Sequence, residues 1–263
     1  MQRHLVVPSL CLMILLLDIG NTNTHLGLAN AERVVRQANI PTQGWFDGTA
    51  KVGVRRFVGK THLEGVGACS VVPRATRLAR EAVKELWNLE FLELTPKTLR
   101  GVGIDYPKSA TIGPDRLANA VSVRHHYGAP SVVVDFGTAV TFDVVNKAGN
   151  YAGGIIAPGL AAMTEYLHEK TALLPRIKIR EIKSVIGKST DEAMLIGAVH
   201  GYRGLIHGLV SELKNEMNTR RLPVVATGGY AKLIAAKLPE ITAVDQLLTL
   251  EGLRLVWSAH FPI

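Results

Sequence analysis

The sequence predicts an α/β protein made of two similar halves with a cleft between them. Three observations carry that expectation. Residues 13–28 (MILLLDIGNTNTHLGL) run from an apolar strand through Asp-x-Gly and a polar turn into a second strand, and residues 131–145 (SVVVDFGTAVTFDVV) repeat the pattern. In each half further strand signals follow and then give way to helical periodicity, so the order of elements is duplicated. Repeats with a period of about 20–50 residues are absent, which marks a duplication and not a solenoid.

The elements follow in order. Residues 14–18, 24–29 and 33–37 read as short strands separated by turn residues, a meander. The stretch 41–61, which contains several Gly and one Trp, gives no clear period. Residues 67–72 read as a strand stopped by Pro73, and residues 76–87 place Leu78, Ala79, Ala82, Val83 and Leu86 at helical spacing. Pro114 suits the first position of a helix that Gly128 ends. The second half offers strands at 131–135, 139–146 and 151–156 and a helix from near Gly159. A long helical stretch at 190–218 follows, then a strand at 223–227, Gly228-Gly229 and a further helix. Within the long stretch, Leu195, Ala198, Val199 and Tyr202 have the spacing of a core or dimer face. The expected domains are residues 1–128, with 113–128 as a helix crossing between the halves, and residues 129–263.

Bulk composition narrows the function classes. A chain of 263 residues holds one large or two ordinary domains at roughly 100–200 residues each. Hydrophobic residues at 47% and charged residues at 20% describe a globular chain and not a disordered one. The net charge of +8 comes from scattered Lys and Arg with no cluster beyond Arg55-Arg56 and Arg220-Arg221, which argues against nucleic acid as a partner. Cys11 and Cys69 are too few for a disulfide framework. Arg3 and His4 followed by apolar residues imitate a leader, but no small-x-small cleavage site follows. Pro8 breaks the run short of the roughly 20 apolar residues of a membrane span. We expect a cytoplasmic protein with no membrane contact, Met13 as its natural start and residues 1–12 an extension foreign to the fold.

The Asp-x-Gly turns carry the chemistry. Glycine adds no side chain and tolerates positive φ, so backbone N–H groups there can approach an anion closely. Asp18 would repel phosphate unless a cation lies between them, which implies Mg²⁺. The bland reading of one such turn is an Asx-turn capping a hairpin, and recurrence in matching context favours the functional one. Gly187-Lys188-Ser189-Thr190 is no P-loop, because Ile182 stands where the leading glycine is needed. Asp115 and Arg116 fall in the first turn of the 114–127 helix, where the dipole favours an ionised carboxylate. Such an Asp can accept a proton from a hydroxyl, and the neighbouring Arg can hold a substrate carboxylate; alone, the pair is also what an ordinary helix start looks like. His25 reads as a hairpin residue and the His125-His126 pair as cations suited to a helix C-terminus.

Taken in order, these motifs resemble the type III pantothenate kinase family, a branch of the acetate kinase, sugar kinase and actin superfamily. The resemblance runs through Asp18-Ile19-Gly20-Asn21-Thr22-Asn23-Thr24, Ser70-Val71-Val72-Pro73, and Asp105-Tyr106 leading to Gly113-Pro114-Asp115-Arg116. It continues through Val134-Asp135-Phe136-Gly137-Thr138-Ala139, Gly153-Gly154-Ile155-Ile156-Ala157-Pro158-Gly159, Ile186-Gly187-Lys188-Ser189-Thr190 and Thr227-Gly228-Gly229. It implies a duplicated ribonuclease H-like, actin-like ATPase fold and ATP-dependent phosphorylation of pantothenate to 4′-phosphopantothenate, the first step of coenzyme A biosynthesis. By the same resemblance Asp18 to His25 (Asp18, Ile19, Gly20, Asn21, Thr22, Asn23, Thr24, His25) form the first ATP loop, with Asp18 acting through Mg²⁺, and Thr138 contacts the phosphates. Asp135 is then the ligand of a monovalent cation, K⁺ or NH₄⁺. Asp115 is the general base, and Tyr106, Gly113, Pro114, Asp115, Arg116 and Thr190 line the pantothenate pocket. A homodimer is implied, with Thr190 reaching the neighbouring chain's site. Residues 1–12 have no place in the family pattern, and residues 41–63 are short and diverged against it. The alternatives are a non-catalytic accessory factor in transcriptional regulation on the same fold, or a kinase of another small acid or sugar.

Overall fold

Two apolar strands, one at the centre of each sheet, set the layout. The computed structural model describes residues 12–261, so nearly all of the 1–12 extension, Cys11 included, lies outside the described residues. The first half holds β1 (Met13–Ile19), β2 (Asn23–Ala29), β3 (Val34–Pro41), α1 (Gly44–Asp47), α2 (Thr49–Val58), β4 (Leu63–Ser70), α3 (Pro73–Trp87) and β5 (Phe91–Glu93). Its sheet has the order β3-β2-β1-β4-β5, antiparallel from β1 to β3 and parallel from β1 to β5. A connecting stretch then supplies β6 (Gly103–Ile104) and α4 (Pro114–Tyr127).

The second half repeats the scheme with β7 (Ser131–Phe136), β8 (Ala139–Val145), β9 (Asn150–Pro158), α5 (Leu160–Lys170) and α6 (Thr190–Ile196). A wider π turn (Gly197–Gly201) leads into α7 (Tyr202–Glu216), β10 (Val224–Thr227), α8 (Ala231–Ala235), β11 (Ala243–Val244) and α9 (Leu248–His260). Its sheet order β11-β10-β7-β8-β9 is the first sheet's order again, with β6 added beside β9. Two mixed sheets of matching topology make this the duplicated ribonuclease H-like fold that the repeated Asp-x-Gly strands imply.

β1 and β7 are covered on both faces, which is why each reads as a continuous apolar run. Leu15, Leu17 and Ile19 pack outward against α1, α2 and α3, while Ile14 and Leu16 join a central core between the sheets. Val132, Val134 and Phe136 pack outward against α5, α7 and α8, and Val133 turns to the centre. The central core is filled by α4 and α9, which cross each other and trade partners. α4, from the first half, lies on β7 and β8, whereas α9, from the end of the chain, lies on β1 and β4. Small residues permit that closeness. A Cβ on Gly65 would sit 2.0 Å from the Trp257 ring, and one on Gly252 would sit 2.0 Å from the Ala118 carbonyl oxygen.

Several expectations shift at this level. The stretch 41–61 forms α1 and α2, whose Trp45, Ala50, Val54 and Val58 are buried. Pro73 does not merely stop β4; it is a first-turn residue of α3, where its missing N–H costs nothing. Leu195, Ala198, Val199 and Tyr202 are core residues. Among the described residues no helix is long and apolar enough to cross a membrane.

At Gly252 the obstructing atom belongs to the backbone of α4 and cannot be moved by a rotamer change. Gly252→Ala is therefore expected to cost about 1–3 kcal/mol of stability. Urea unfolding of the purified variant against the parent chain measures it.

Candidate active site

Alternation along the strands decides which polar side chains meet. Ile14 and Leu16 of β1 face the centre, so Asp18 faces it too, and Asp135 follows Val133 on β7 in the same way. Asp143 of β8 pairs with Val133 and shares that face. Against it lies the start of α4, which delivers Asp115, Arg116 and Asn119. The two halves thus bring their acidic strand ends to one place.

The first turn is held from outside. Gly20 N–H donates to the Asn23 carbonyl (3.0 Å), the Thr42 hydroxyl donates to the Gly20 carbonyl (2.7 Å), and Thr42 N–H donates to the Thr22 carbonyl (3.0 Å). Trp45 Nε1 donates to the Thr24 hydroxyl (3.0 Å), which is also 3.0 Å from the Thr42 hydroxyl. Thr42 and Trp45 lie in the stretch that had no legible period. The second turn is closed by Gly159, whose N–H donates to the Thr138 carbonyl (3.2 Å) and whose Cβ, were there one, would meet that oxygen at 2.2 Å. Thr22 and Thr138 oppose each other with hydroxyl oxygens 3.3 Å apart. Neither Gly20 nor Gly137 uses positive φ; Gly20 serves by closeness, with a virtual Cβ 3.0 Å from the Asn23 carbonyl. Gly228 does need positive φ (88°), and a side chain there would strike Asp135 Oδ1 at 2.5 Å.

The carboxylates do not cap their own turns. Asp18 Oδ1 accepts from the buried Cys69 thiol (3.3 Å), its register partner on β4. Asp135 Oδ2 accepts from Asn119 Nδ2 at 3.4 Å. Burial pushes Asp18 up to about 6, with His25 drawing it back and Asp115 adding to the rise. Burial pushes Asp135 up to about 7, and the negative charges of Asp18 and Asp115 add to it. His25 stands opposite Asp18 in the β1–β2 register, its Nδ1 2.7 Å from Asn39 Oδ1.

Asp115 is partly buried, and its Oδ1 accepts from Arg116 N–H (2.9 Å). A Cβ on Gly113 would lie 2.5 Å from that oxygen, so the glycine makes room for the carboxylate. Burial raises the Asp115 carboxyl despite the helix start and Arg116, both of which pull it down. Arg116 turns into the protein: Nε donates to Asp143 Oδ1 (2.5 Å) and Nη2 to the Phe142 carbonyl (3.0 Å). Gly154 leaves space for it, since a Cβ there would meet Arg116 Nη2 at 2.6 Å. The guanidinium lies over the Tyr151 ring, which Tyr106 meets edge-on with ring centres 6.2 Å apart. Asp105, Tyr106 and Arg116 therefore meet β9, next to Gly113 and Pro114 at the start of α4.

Thr190 lies apart from this cluster. It opens α6, exposed, and among the described residues no hydrogen bond joins it to Asp18, Asp115 or Asp135. Ser189 accepts from Glu192 N–H while the Glu192 carboxylate accepts from Lys188 N–H, so the Gly-Lys-Ser-Thr run is a helix cap. Sequence reasoning missed Asp143, Asn119, Thr42 and Trp45. For Asp143 a signal existed, a carboxylate inside the apolar run of β8.

Among the described residues no three His, Cys, Asp or Glu side chains gather as a metal-ion shell. Yet Asp18 and Asp135 are partly buried acids that no salt bridge reaches among the described residues, each raised in pKa, and that suits cations shared with a phosphate ligand.

Residues 14–212 match the family model described as type III pantothenate kinase. A type III pantothenate kinase of Akkermansia muciniphila is 46% identical over 243 residues, covering 92% of this chain and 96% of that one. That of Methylacidiphilum infernorum is 42% identical over 246 residues, covering 92% and 87%. A solved Campylobacter jejuni structure, described as a Baf family transcriptional activator, superposes with TM-score 0.58 at 20% identity, covering 95% of this chain and all of that one. That likeness speaks for the fold alone.

Unfolded, these carboxyls return to their ordinary 3.8, so the folded, ligand-free protein holds extra protons between about pH 4 and pH 7. Stability is present below that window and is lost as pH rises through it. Urea midpoints should fall from about pH 5 to about pH 8, and Asp135→Asn should flatten the slope.

Proposed function

Because this chain belongs to the type III pantothenate kinase family, we propose how its own residues carry phosphoryl transfer from ATP to pantothenate, the first step of coenzyme A biosynthesis. The observation that carries the assignment of roles is the meeting of two polar turns and three acids from both halves in one cleft.

The turns at residues 18–25 and at Thr138 hold the triphosphate between them, with backbone N–H groups and the Thr22 and Thr138 hydroxyls as donors. Asp18 would hold Mg²⁺, and Asp135 would help hold a monovalent cation, K⁺ or NH₄⁺. Bound there, these ions offset the phosphate charge that no Lys or Arg of the first turn can offset. Pantothenate lies on the Tyr106, Gly113 and Arg116 side. Asp115 accepts the proton of its primary hydroxyl as that oxygen bonds to the γ-phosphorus and the bond from phosphorus to the departing ADP oxygen breaks. A raised Asp115 pKa suits this role, because it makes the carboxylate a better proton acceptor.

A homodimer completes the reading. Ile156, Tyr166, Leu173, Val185 and Ile186 are exposed on the second half, Leu173 by 90%. Beside α5, the exposed Gly197, Gly201, Gly204 and Gly208 give the α6–α7 helix a smooth side on which a Cβ would touch nothing. Such a face suits close approach of a second copy and would carry Thr190 to the partner's cleft. The cytoplasm, where ATP is made available to biosynthesis, is the compartment that goes with this reading.

Pantothenate-dependent ADP release with Mg²⁺ and K⁺ tests the assignment; no release would return the chain to the non-catalytic or other-acceptor alternatives. Asp115→Asn is expected to lower kcat by about 10²–10⁴ with little change in the ATP KM. Co-expressed Asp115→Asn and Thr190→Val chains should recover activity that neither homodimer has, while a site complete within one chain gives no recovery.

A further inference from the structure

Asn119 lies one helical turn beyond Asp115 and is fully buried, yet each of its amide atoms is engaged. Nδ2 points between two carboxylates, 3.1 Å from Asp143 Oδ2 and 3.4 Å from Asp135 Oδ2. Its Oδ1 accepts from the Thr249 hydroxyl of α9 (2.8 Å). A primary amide has two N–H bonds, so it can serve both acids, and the Thr249 donor fixes which end faces them. Asp143, itself without exposure, passes the constraint on to Arg116.

We propose that Asn119 is a positioning residue that ties the nucleotide side of the cleft to the acceptor side. Through one N–H it sets Asp135, beside the second phosphate turn; through the other it sets Asp143 and hence the Arg116 guanidinium next to Asp115. Thr249, on the helix that arrives last in the chain, locks the amide. The distances support a short polar chain, Thr249, Asn119, Asp143, Arg116, with Asp135 as a branch. Buried polar chains of this kind hold a geometry when every member is paired and lose it when one partner goes.

This inference rests on the phosphoryl-transfer reading above, and the test separates the two. Asn119→Leu keeps the size and removes both donors. Expected is a loss of about 10–100-fold in kcat/KM, with the KM for ATP and the KM for pantothenate both raised. Asp143→Asn, which touches the acceptor side, should raise the pantothenate KM and leave the ATP KM within about twofold. Thr249→Val should follow Asn119→Leu at smaller amplitude, and Thr249→Ser should restore the parent values; this pair decides the matter if Asn119→Leu does not fold. Calorimetric titration with Mg²⁺-ATP alone gives a readout that needs no acceptor, and weaker nucleotide binding in Asn119→Leu and Thr249→Val is expected. Parent-like KM values and nucleotide affinity in folded variants, or a mere loss of active fraction, would overturn the coupling while leaving the kinase assignment intact. Absence of ADP release from the parent chain would instead overturn the assignment, with the nucleotide titration still judging the coupling.

Discussion

Carboxylates drawn out of water and toward one another repel, and the cleft is organised around that repulsion. Asp18, Asp115 and Asp135 come from three separate elements; Asp115 raises the pKa of both others, and Asp18 raises that of Asp135. A fold assembled for stability alone would disperse them or pair them with Lys and Arg. Here a guanidinium sits close by, but Asp143 and the Phe142 carbonyl hold it. In the proposed roles that cost would be offset by a ligand that is itself an anion and arrives with cations. Parallel strands covered on both faces, glycines that leave room for carboxylates and a helix start aimed at the cleft all serve this placement.

Much of it was legible in the sequence, for a definable reason. The Asp-x-Gly strands recur with the same neighbours, and recurrence supplies information that one copy lacks. The start and end of α4 were legible because Pro114 and Gly128 act locally. What stayed hidden depends on contacts distant in the chain. Asp143 looks like an irregularity in an apolar strand until Arg116 is brought to it, and Asn119 looks like one polar residue in a helix until two acids flank it. The stretch 41–61 showed no period because α1 is only one turn and α2 is short, so neither accumulates a repeat. Its role is nonetheless direct, since Thr42 and Trp45 pin the first Asp-x-Gly turn. Gly20 and Gly137 do not use the positive φ that glycine tolerates; the left-handed position belongs to Gly228, pressed against Asp135.

The same residue types do separate work on the two sides of α4. Toward the first sheet, Asp115 shares the electrostatic environment of Asp18 and the Cys69 thiol, a region rich in negative charge. Toward the second sheet, Arg116 and Asp143 neutralise each other inside the protein. A single helix start therefore borders an uncompensated acidic region, which Asp135 of the second sheet shares, and a pair, Arg116 and Asp143, whose charge is already balanced.

The crossing of α4 and α9 also says something about ancestry. If each half descends from one duplicated unit, that unit carried a last helix that lies mainly on the other half's sheet, because α4 lies on β7 and β8 and reaches only β4 of its own sheet, while α9 lies on β1 and β4. Alone, such a unit would have left its central strand bare on one side. Two identical chains could have closed only as an intertwined pair, each lending its terminal helix to the other. Gene fusion would then have turned a contact between molecules into the permanent spine of one, and freed the two Asp-x-Gly turns, once identical by symmetry, to diverge.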